Sequence, residues 1–281
     1  METYVFAAVL CAAAFHATWN ALIKVGLDPL RSAALMALSA TAIAAVILPF
    51  LAQPLPAAWP WVVLSTITHL GYFAGLVEAY RSSDYGQVYP IARGAAPLMT
   101  ATVATVAVGE HVGLTGWIGI VLLATGVLLL SLRGGRDLER FDRRGVGFAL
   151  FTALTVCTYS VVDGVGARVS GAPVAYTLWL FVGIAVTLIP YAMWRGGRGV
   201  FTGLTGYWKQ GLIGGGLQIA SYGIALWAMT LAPIAIVAAL RETSVLFGAA
   251  IAVIVLKEPL RQTRIVAAAM IVSGLVLIRL A

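Results

Sequence analysis

Charge is scarce in this chain of 281 residues: Asp, Glu, Lys and Arg make up only 10% of it, against about 25% in soluble domains. Hydrophobic residues fill 61%, which excludes a water-soluble globule and a nucleic-acid partner. Cysteine is nearly absent as well. Cys11 and Cys157 each sit alone in an apolar run, so neither a disulfide framework nor a metal site is suggested, and both read as small packing residues. Enzyme signatures are also missing: there is no HExxH, GxSxG, Walker loop or dinucleotide fingerprint. The reading is therefore of a non-enzyme with no cofactor. Met1 to Thr3 carry no Lys or Arg and lack the basic segment of a signal peptide, so the first apolar run is kept as a membrane span.

Long apolar runs are what the sequence has instead. They cover roughly 4–24, 31–51, 58–80, 85–108, 113–132, 145–167, 173–194, 208–230, 233–256 and 262–280, each near the roughly 20 residues that a bilayer crossing needs. Asp28-Pro29, Gln53 to Pro56, Gly171 to Pro173, Arg195 to Gly199 and Glu258-Pro259 break the chain between runs. The strict alternation of a lipid-facing barrel is absent. The fold class expected is thus an all-α integral membrane protein with ten transmembrane helices. Gly71 with Gly75 and Gly211 with Gly215, each pair four apart, would let helices approach closely, and packing is the role expected of them.

One long hydrophilic stretch, 133–144, separates residues 1–132 from 145–281, five runs on each side. A shift of 148 lays Arg93 on Arg241, Glu110 on Glu258 and Gly126 on Gly274, and a shift of 140 lays Thr18-Trp19-Asn20 on Thr158-Tyr159-Ser160. Five is odd, so a duplicated half enters the membrane upside down, which gives two inverted five-helix repeats around a central cavity. Fourteen Lys and Arg fall on the side of the 1–2, 3–4, 5–6, 7–8 and 9–10 connections, against Arg168 and Arg279 on the other. The positive-inside tendency makes the first side cytoplasmic, with both termini outside. An inner cell membrane and multiple passages are expected.

These residues resemble a family. A Gly-Glu or Lys-Glu pair after the fourth helix of each half (Gly109-Glu110, Lys257-Glu258) and a Gly in each fifth helix (Gly126, Gly274) look like the drug/metabolite transporter superfamily, EamA type, over essentially the whole chain. The resemblance implies a transporter of amino acids, other metabolites or toxic compounds, mostly outward. Its ten-helix members are commonly described with cytoplasmic termini, and the charge count here departs from that.

An ionisable group at bilayer depth is costly unless it faces a cavity or a partner. Arg93 and Arg241 lie well inside runs four and nine, where guanidinium forks could grip a carboxylate; the bland alternative pairs Arg241 with Glu242 or backbone carbonyls and Arg93 with a helix C-terminus, locking helices together. Glu242 is the first candidate for carrying a proton, unless it is locked in an ion pair with either arginine. Tyr85, Tyr89, Arg93 and Pro97 form one stripe at spacing four. His69 with Tyr72 and Phe73, His16 with Asn20 and Lys24 beside Trp19, Tyr159 with Asp163, and Gln218 with Tyr222 supply four more. Single members of these could equally be interhelical hydrogen bonds.

The expectation is a secondary transporter that moves a small polar metabolite, an amino acid or related carboxylate, by alternating access. Export follows from the resemblance alone. Substrate would be held by Arg93, Arg241, Tyr89, Tyr72, Trp19, Asn20, Tyr159, Gln218 and Tyr222, and protons would be carried by Glu242, His69, Asp163 or His16. Rival readings are uptake or exchange of anions by the same fold, and an intramembrane enzyme using the His, Asp and Glu groups as acids and bases.

Overall fold

The computed structural model describes residues 1–23, 26–82, 85–131, 143–254, 257 and 262–281, and their side chains apart from 23, 76–90, 131, 143–144 and 252. The connecting stretch 133–144 therefore falls almost wholly outside the described residues. Helices account for nearly all of what is described, and no strand is present among these residues. In chain order they are α1 (Thr3–Ile23), α2 (Pro29–Ile47), α3 (Trp59–Ser82), α4 (Tyr85–Ala107), α5 (Leu114–Ser131), α6 (Arg143–Ser170), α7 (Pro173–Gly196), α8 (Trp208–Leu231), α9 (Ile234–Arg241), α10 (Ser244–Ile254) and α11 (Gln262–Leu280).

Local chemistry sets several of these ends. Asp28 caps α2 by accepting from the Leu30 and Arg31 amides, both at 3.1 Å, and Pro29 opens the helix where no amide donor is needed. Gly109 and Gly171 stop α4 and α6 at positive φ, 76° and 64°, a conformation that glycine adopts without Cβ strain. Pro173 and Pro233 then start α7 and precede α9.

Seven stretches among the described residues are long and apolar enough to cross a membrane: Thr3–Leu22, Pro29–Phe50, Gly145–Ser170, Pro173–Phe201, Leu204–Leu231, Ile234–Ile251 and Gln262–Leu280. Shorter apolar pieces, Ile91–Ala107 and Leu114–Leu130, lie in α4 and α5. Large hydrophobic side chains face outward along them, among them Val46, Phe50, Val106, Leu114, Val186 and Ile254. Such a surface suits hydrocarbon rather than water. The ninth apolar run of the sequence is not one helix. It breaks between Arg241 and Ser244, where the Glu242 and Thr243 amides reach back three residues to Ala239 and Leu240 instead of four.

Packing brings the two ends of the chain together. The first-half helices rest mainly on second-half helices: α1 on α8, α3 on α6 and α7, α2 on α7 and α8, α4 on α6 and α9, and α5 on α11. The α5–α11 crossing is so close that a Cβ on Gly126 would strike the Ala267 carbonyl and Ile271, and one on Gly274 would strike the Gly119 carbonyl and Leu123. Adding 148 to the first-half member of either contact and subtracting 148 from the second-half member yields the other contact. Two equivalent surfaces thus meet face to face.

Small residues permit this approach without an apolar driving force between the helices. Gly126→Leu is expected to overpack the crossing and destabilise the protein by about 1–3 kcal/mol, read as a lower thermal midpoint in detergent. Gly147→Leu, whose Cβ would meet nothing within 4 Å, serves as the comparison and should leave the midpoint near wild type.

Candidate functional site

A small cavity forms where α4, α6 and α9 meet. Its wall is Arg93, Ala96, Pro97 and Thr100 from α4, Val156, Tyr159 and Ser160 from α6, and Ala238, Arg241 and Glu242 from α9 and the break that follows it. With about 10 Å³ of accessible space it has room for one water.

The two arginines reach this cavity and are held in different ways. Arg93 is committed: Nη1 donates to Glu242 Oε1 at 3.2 Å, and Nη2 donates to Ser244 Oγ at 3.3 Å and to His16 Nε2 at 3.0 Å. A guanidinium cannot accept, so His16 takes part as the tautomer protonated at Nδ1. Arg241, at the C-terminal end of α9 where a helix favours positive charge, lies over the Tyr222 ring at 4.7 Å. Its guanidinium has no hydrogen bond or ion pair among the described residues. Glu242 is buried, and its second oxygen, Oε2, likewise has no partner among them. The helix break thus presents a cation and a half-satisfied carboxylate to the same space, as non-helical backbone at membrane depth is expected to line a cavity.

Behind Arg241 stands an aromatic cluster. His69 stacks on Tyr159 with ring centres 4.2 Å apart, and Tyr72 and Tyr222 meet Tyr159 edge-on at 6.0 and 6.3 Å. His69 Nδ1 is itself engaged by the Ser65 hydroxyl and carbonyl at 3.1 and 3.0 Å. Fully buried Asp163 accepts hydrogen bonds from Tyr176, at 3.0 Å, and from Tyr222. No cation bonds it among the described residues.

The residues singled out from the sequence divide accordingly. Arg93, Arg241, Glu242 and Tyr159 share the cavity wall; Tyr72, Tyr222, His69 and Asp163 form the layer behind it; His16 supports Arg93. Trp19 packs edge-on against His16 at 5.0 Å, away from the cavity wall, and the Asn20 amide bonds the His16 carbonyl of its own helix. Gln218 is half-buried one turn before Tyr222. The side chain of Tyr89 is outside the described residues. No hydrogen bond among the described residues joins any two of His16, His69, Asp163 and Glu242. Sequence reasoning missed Ser244, Ser65 and Tyr176. For Tyr176 a signal existed: Gly166, one turn after Asp163, leaves the space that the Tyr176 ring fills.

A second polar cluster lies at the far end of the same helices. Arg168 of α6 donates through Nη2 to Glu110 Oε1 at 2.6 Å and to the Ala232 carbonyl at 3.0 Å, and through Nε to the Met229 carbonyl at 2.8 Å. Glu110 in turn accepts from the Ile234 and Ala235 amides, at 2.8 and 3.1 Å, and so caps α9 from outside its own segment.

Comparison with known proteins agrees with this architecture. A family model described as the EamA-like transporter family matches residues 3–132 and 143–280. No curated protein matches. One solved crystal structure, which carries no functional description, superposes with a TM-score of 0.78 over 99% of this chain and 96% of its own, at 17% identity, and it shows the fold alone.

The two arginines should separate in a stability assay. Arg93→Ala leaves Glu242 buried and unpaired, and breaking such a pair costs about 3–5 kcal/mol; the double change with Glu242→Ala should recover much of that loss. Arg241→Ala strands no carboxylate and should shift thermal unfolding in detergent far less.

Proposed function

The chain belongs to the EamA-like transporter family, and we propose that it is a secondary transporter whose solute carries a carboxylate, an amino acid or a related acid. Arg241 carries this reading. It is a cation turned to a cavity at a helix break, with its donors unclaimed among the described residues, and a planar fork of that kind suits a carboxylate. The Arg93–Glu242 pair lines the same cavity, and the unpaired Glu242 oxygen gives the site a feature that an ammonium group would satisfy. Tyr159, Tyr72 and Tyr222 bound the pocket on the aromatic side.

The architecture behind the proposal is ten spans in two inverted halves, 1–132 and 145–281. Two observations support it. The packing pairs α1 with α8 and α3 with α6 exchange when each helix is replaced by its counterpart in the other half, and the α5–α11 glycine contacts exchange in the same way under the 148 shift. Alternating access then consists of loosening one end of the bundle while the other is closed. The Arg168–Glu110 cluster is the latch of the end that bears the termini, since it ties the end of α6 and the α4–α5 connection to the α8–α9 corner.

Binding is tested with the purified protein in detergent, by thermal shift and equilibrium binding of L-alanine, L-serine, succinate and choline. A carboxylate-bearing compound should raise the unfolding midpoint, and Arg241→Ala should weaken it about 30-fold or more, the loss expected when one partner of a desolvated charge contact is removed. Stabilisation by choline alone would overturn the carboxylate assignment. The latch has its own test. With both native cysteines replaced, Ala238→Cys in the cavity wall should react with a maleimide about tenfold faster once Glu110→Gln removes the ion pair, as the population shifts toward an open state. An unchanged rate would remove Arg168–Glu110 from the gating scheme.

A further inference from the structure

Among the described residues, two arginines and two acidic side chains occupy the middle of the bundle, and their pairing is uneven. Arg93 and Glu242 bond directly. Arg241 and Asp163 do not: between them stands Tyr222, whose hydroxyl donates to Asp163 and whose ring face carries the Arg241 guanidinium. Tyr176 supplies the second donor to Asp163, and Ser65 of α3 lies beside it. A carboxylate that is fully buried and served only by hydroxyls keeps two chemical options. It can stay charged, with both tyrosines donating, or it can take one proton from water and become a neutral acid, its own O–H then donating while one of the tyrosine hydroxyls turns to accept.

We propose that Asp163 is the group through which a proton controls the solute site, acting on Arg241 by way of Tyr222. This rests on the reading of Arg241 as the carboxylate-binding cation. With Asp163 charged, part of the Arg241 field is spent on it across the tyrosine ring. Once Asp163 is neutral, Arg241 is left as an uncompensated cation and holds an incoming carboxylate more tightly. Linkage is reciprocal, so a carboxylate on Arg241 favours the proton on Asp163 to the same extent. Proton and solute are therefore bound together and travel in the same direction, which makes the coupled process symport. The other groups around Asp163 are the His69 ring on α3, Arg93 on α4, Tyr159 on its own helix, Tyr176 on α7, and Arg241 with Glu242 at the α9 break. None of them bridges Asp163 to Arg241 as Tyr222 does.

The first measurement needs no solute. Infrared difference spectra of the full-length protein in lipid, recorded between pH 5 and pH 9, should contain a carboxylic C=O band that is lost in Asp163→Asn and kept in Glu242→Gln. The midpoint of that band should differ by about one pH unit between wild type and Arg241→Gln. A band that does not titrate, or identical midpoints in the two proteins, overturns the coupling. The second measurement uses L-alanine, L-serine and succinate as probes: wild type should bind whichever is accepted about tenfold more tightly at pH 5.5 than at pH 8, with proton uptake from a weakly buffered solution. Asp163→Asn should bind with the acid-side affinity at both pH values. A residue that merely held Tyr222 in place would instead weaken binding when changed. If Asp163→Asn does not fold, the wild-type proton uptake and the Arg241→Gln spectrum decide. Should none of the probes bind while the band midpoints still differ, the carboxylate site falls and the Asp163–Arg241 coupling stands.

Discussion

Charge inside an apolar wall has to be answered by opposite charge or by hydrogen bonds, and the centre of this molecule is organised by that demand. Arg93 is answered in full by Glu242, Ser244 and His16, and in being answered it fastens α4 to α1 and to the broken ninth span. Arg241 is answered only by a ring face. A cation over an aromatic face gains about 0.5–2 kcal/mol, far less than a carboxylate would supply in the same place. The site is thus left unbalanced by its own residues: one arginine is bonded into the wall, and the guanidinium of the other has no hydrogen bond or ion pair among the described residues.

The scaffold that permits this has few strong contacts of its own. Glycine at 119, 126 and 274 lets α5 and α11 approach to backbone distance, and Gly211, Gly214 and Gly215 do the same for α8 against α2. The spacing of Gly211 and Gly215 already points to that role. Such interfaces are held by contact and not by hydrophobic expulsion, because the lipid outside is as apolar as the helix. Helices so joined can shift as units. Polar connections between elements among the described residues include the Arg168–Glu110 cluster, the Arg279 bonds to Met1 and Thr3, the Arg93–Glu242 pair, the tyrosines on Asp163 and the Ser221 bond to the Ala12 carbonyl.

Much of this is legible in the amino-acid sequence itself. Run length and hydropathy disclose the helices, because a bilayer imposes a minimum length that polar loops interrupt. Arg93, Arg241, Glu242 and Tyr159 stand out by rarity, since a polar group in an apolar run has few bland explanations. What the order of residues hides is which partner each one chooses. Adjacent Arg241 and Glu242 leave a helix about 100° apart, and nothing in their spacing says that Glu242 crosses to Arg93 while Arg241 turns to Tyr222. The break in the ninth run is equally silent: Arg-Glu-Thr contains neither proline nor glycine, and the bonds that hold the break are one local contact, the Thr243 hydroxyl donating to the Leu240 carbonyl, and one from another helix, Arg93 donating to Glu242 and Ser244. The stripe with His16 directs the expectation for Trp19 and Asn20 toward the cavity, yet only His16 reaches Arg93: the Asn20 amide is spent on the His16 carbonyl of its own helix and Trp19 packs against the His16 ring.

The distribution of polar contacts also orders the steps that a transport cycle would need. The cavity as it stands has room for about one water, too little for an amino acid. Entry of a carboxylate could be accommodated in two ways. Displacing Glu242 from Arg93 would leave a buried acid unpaired and would loosen α4 from the break after α9, which is expensive and would dismantle the wall. Meeting Arg241 disturbs no existing ion pair and requires only that the solute take the space in front of Tyr222. The second route is therefore the cheaper one, and it places the incoming negative charge on the end of α9. That helix, eight residues long, is the one whose opposite end Glu110 caps. On the proposed reading, a short helix held at one end by Glu110 and met at the other by the solute would be the element through which occupancy of the site is felt at the far end of the bundle.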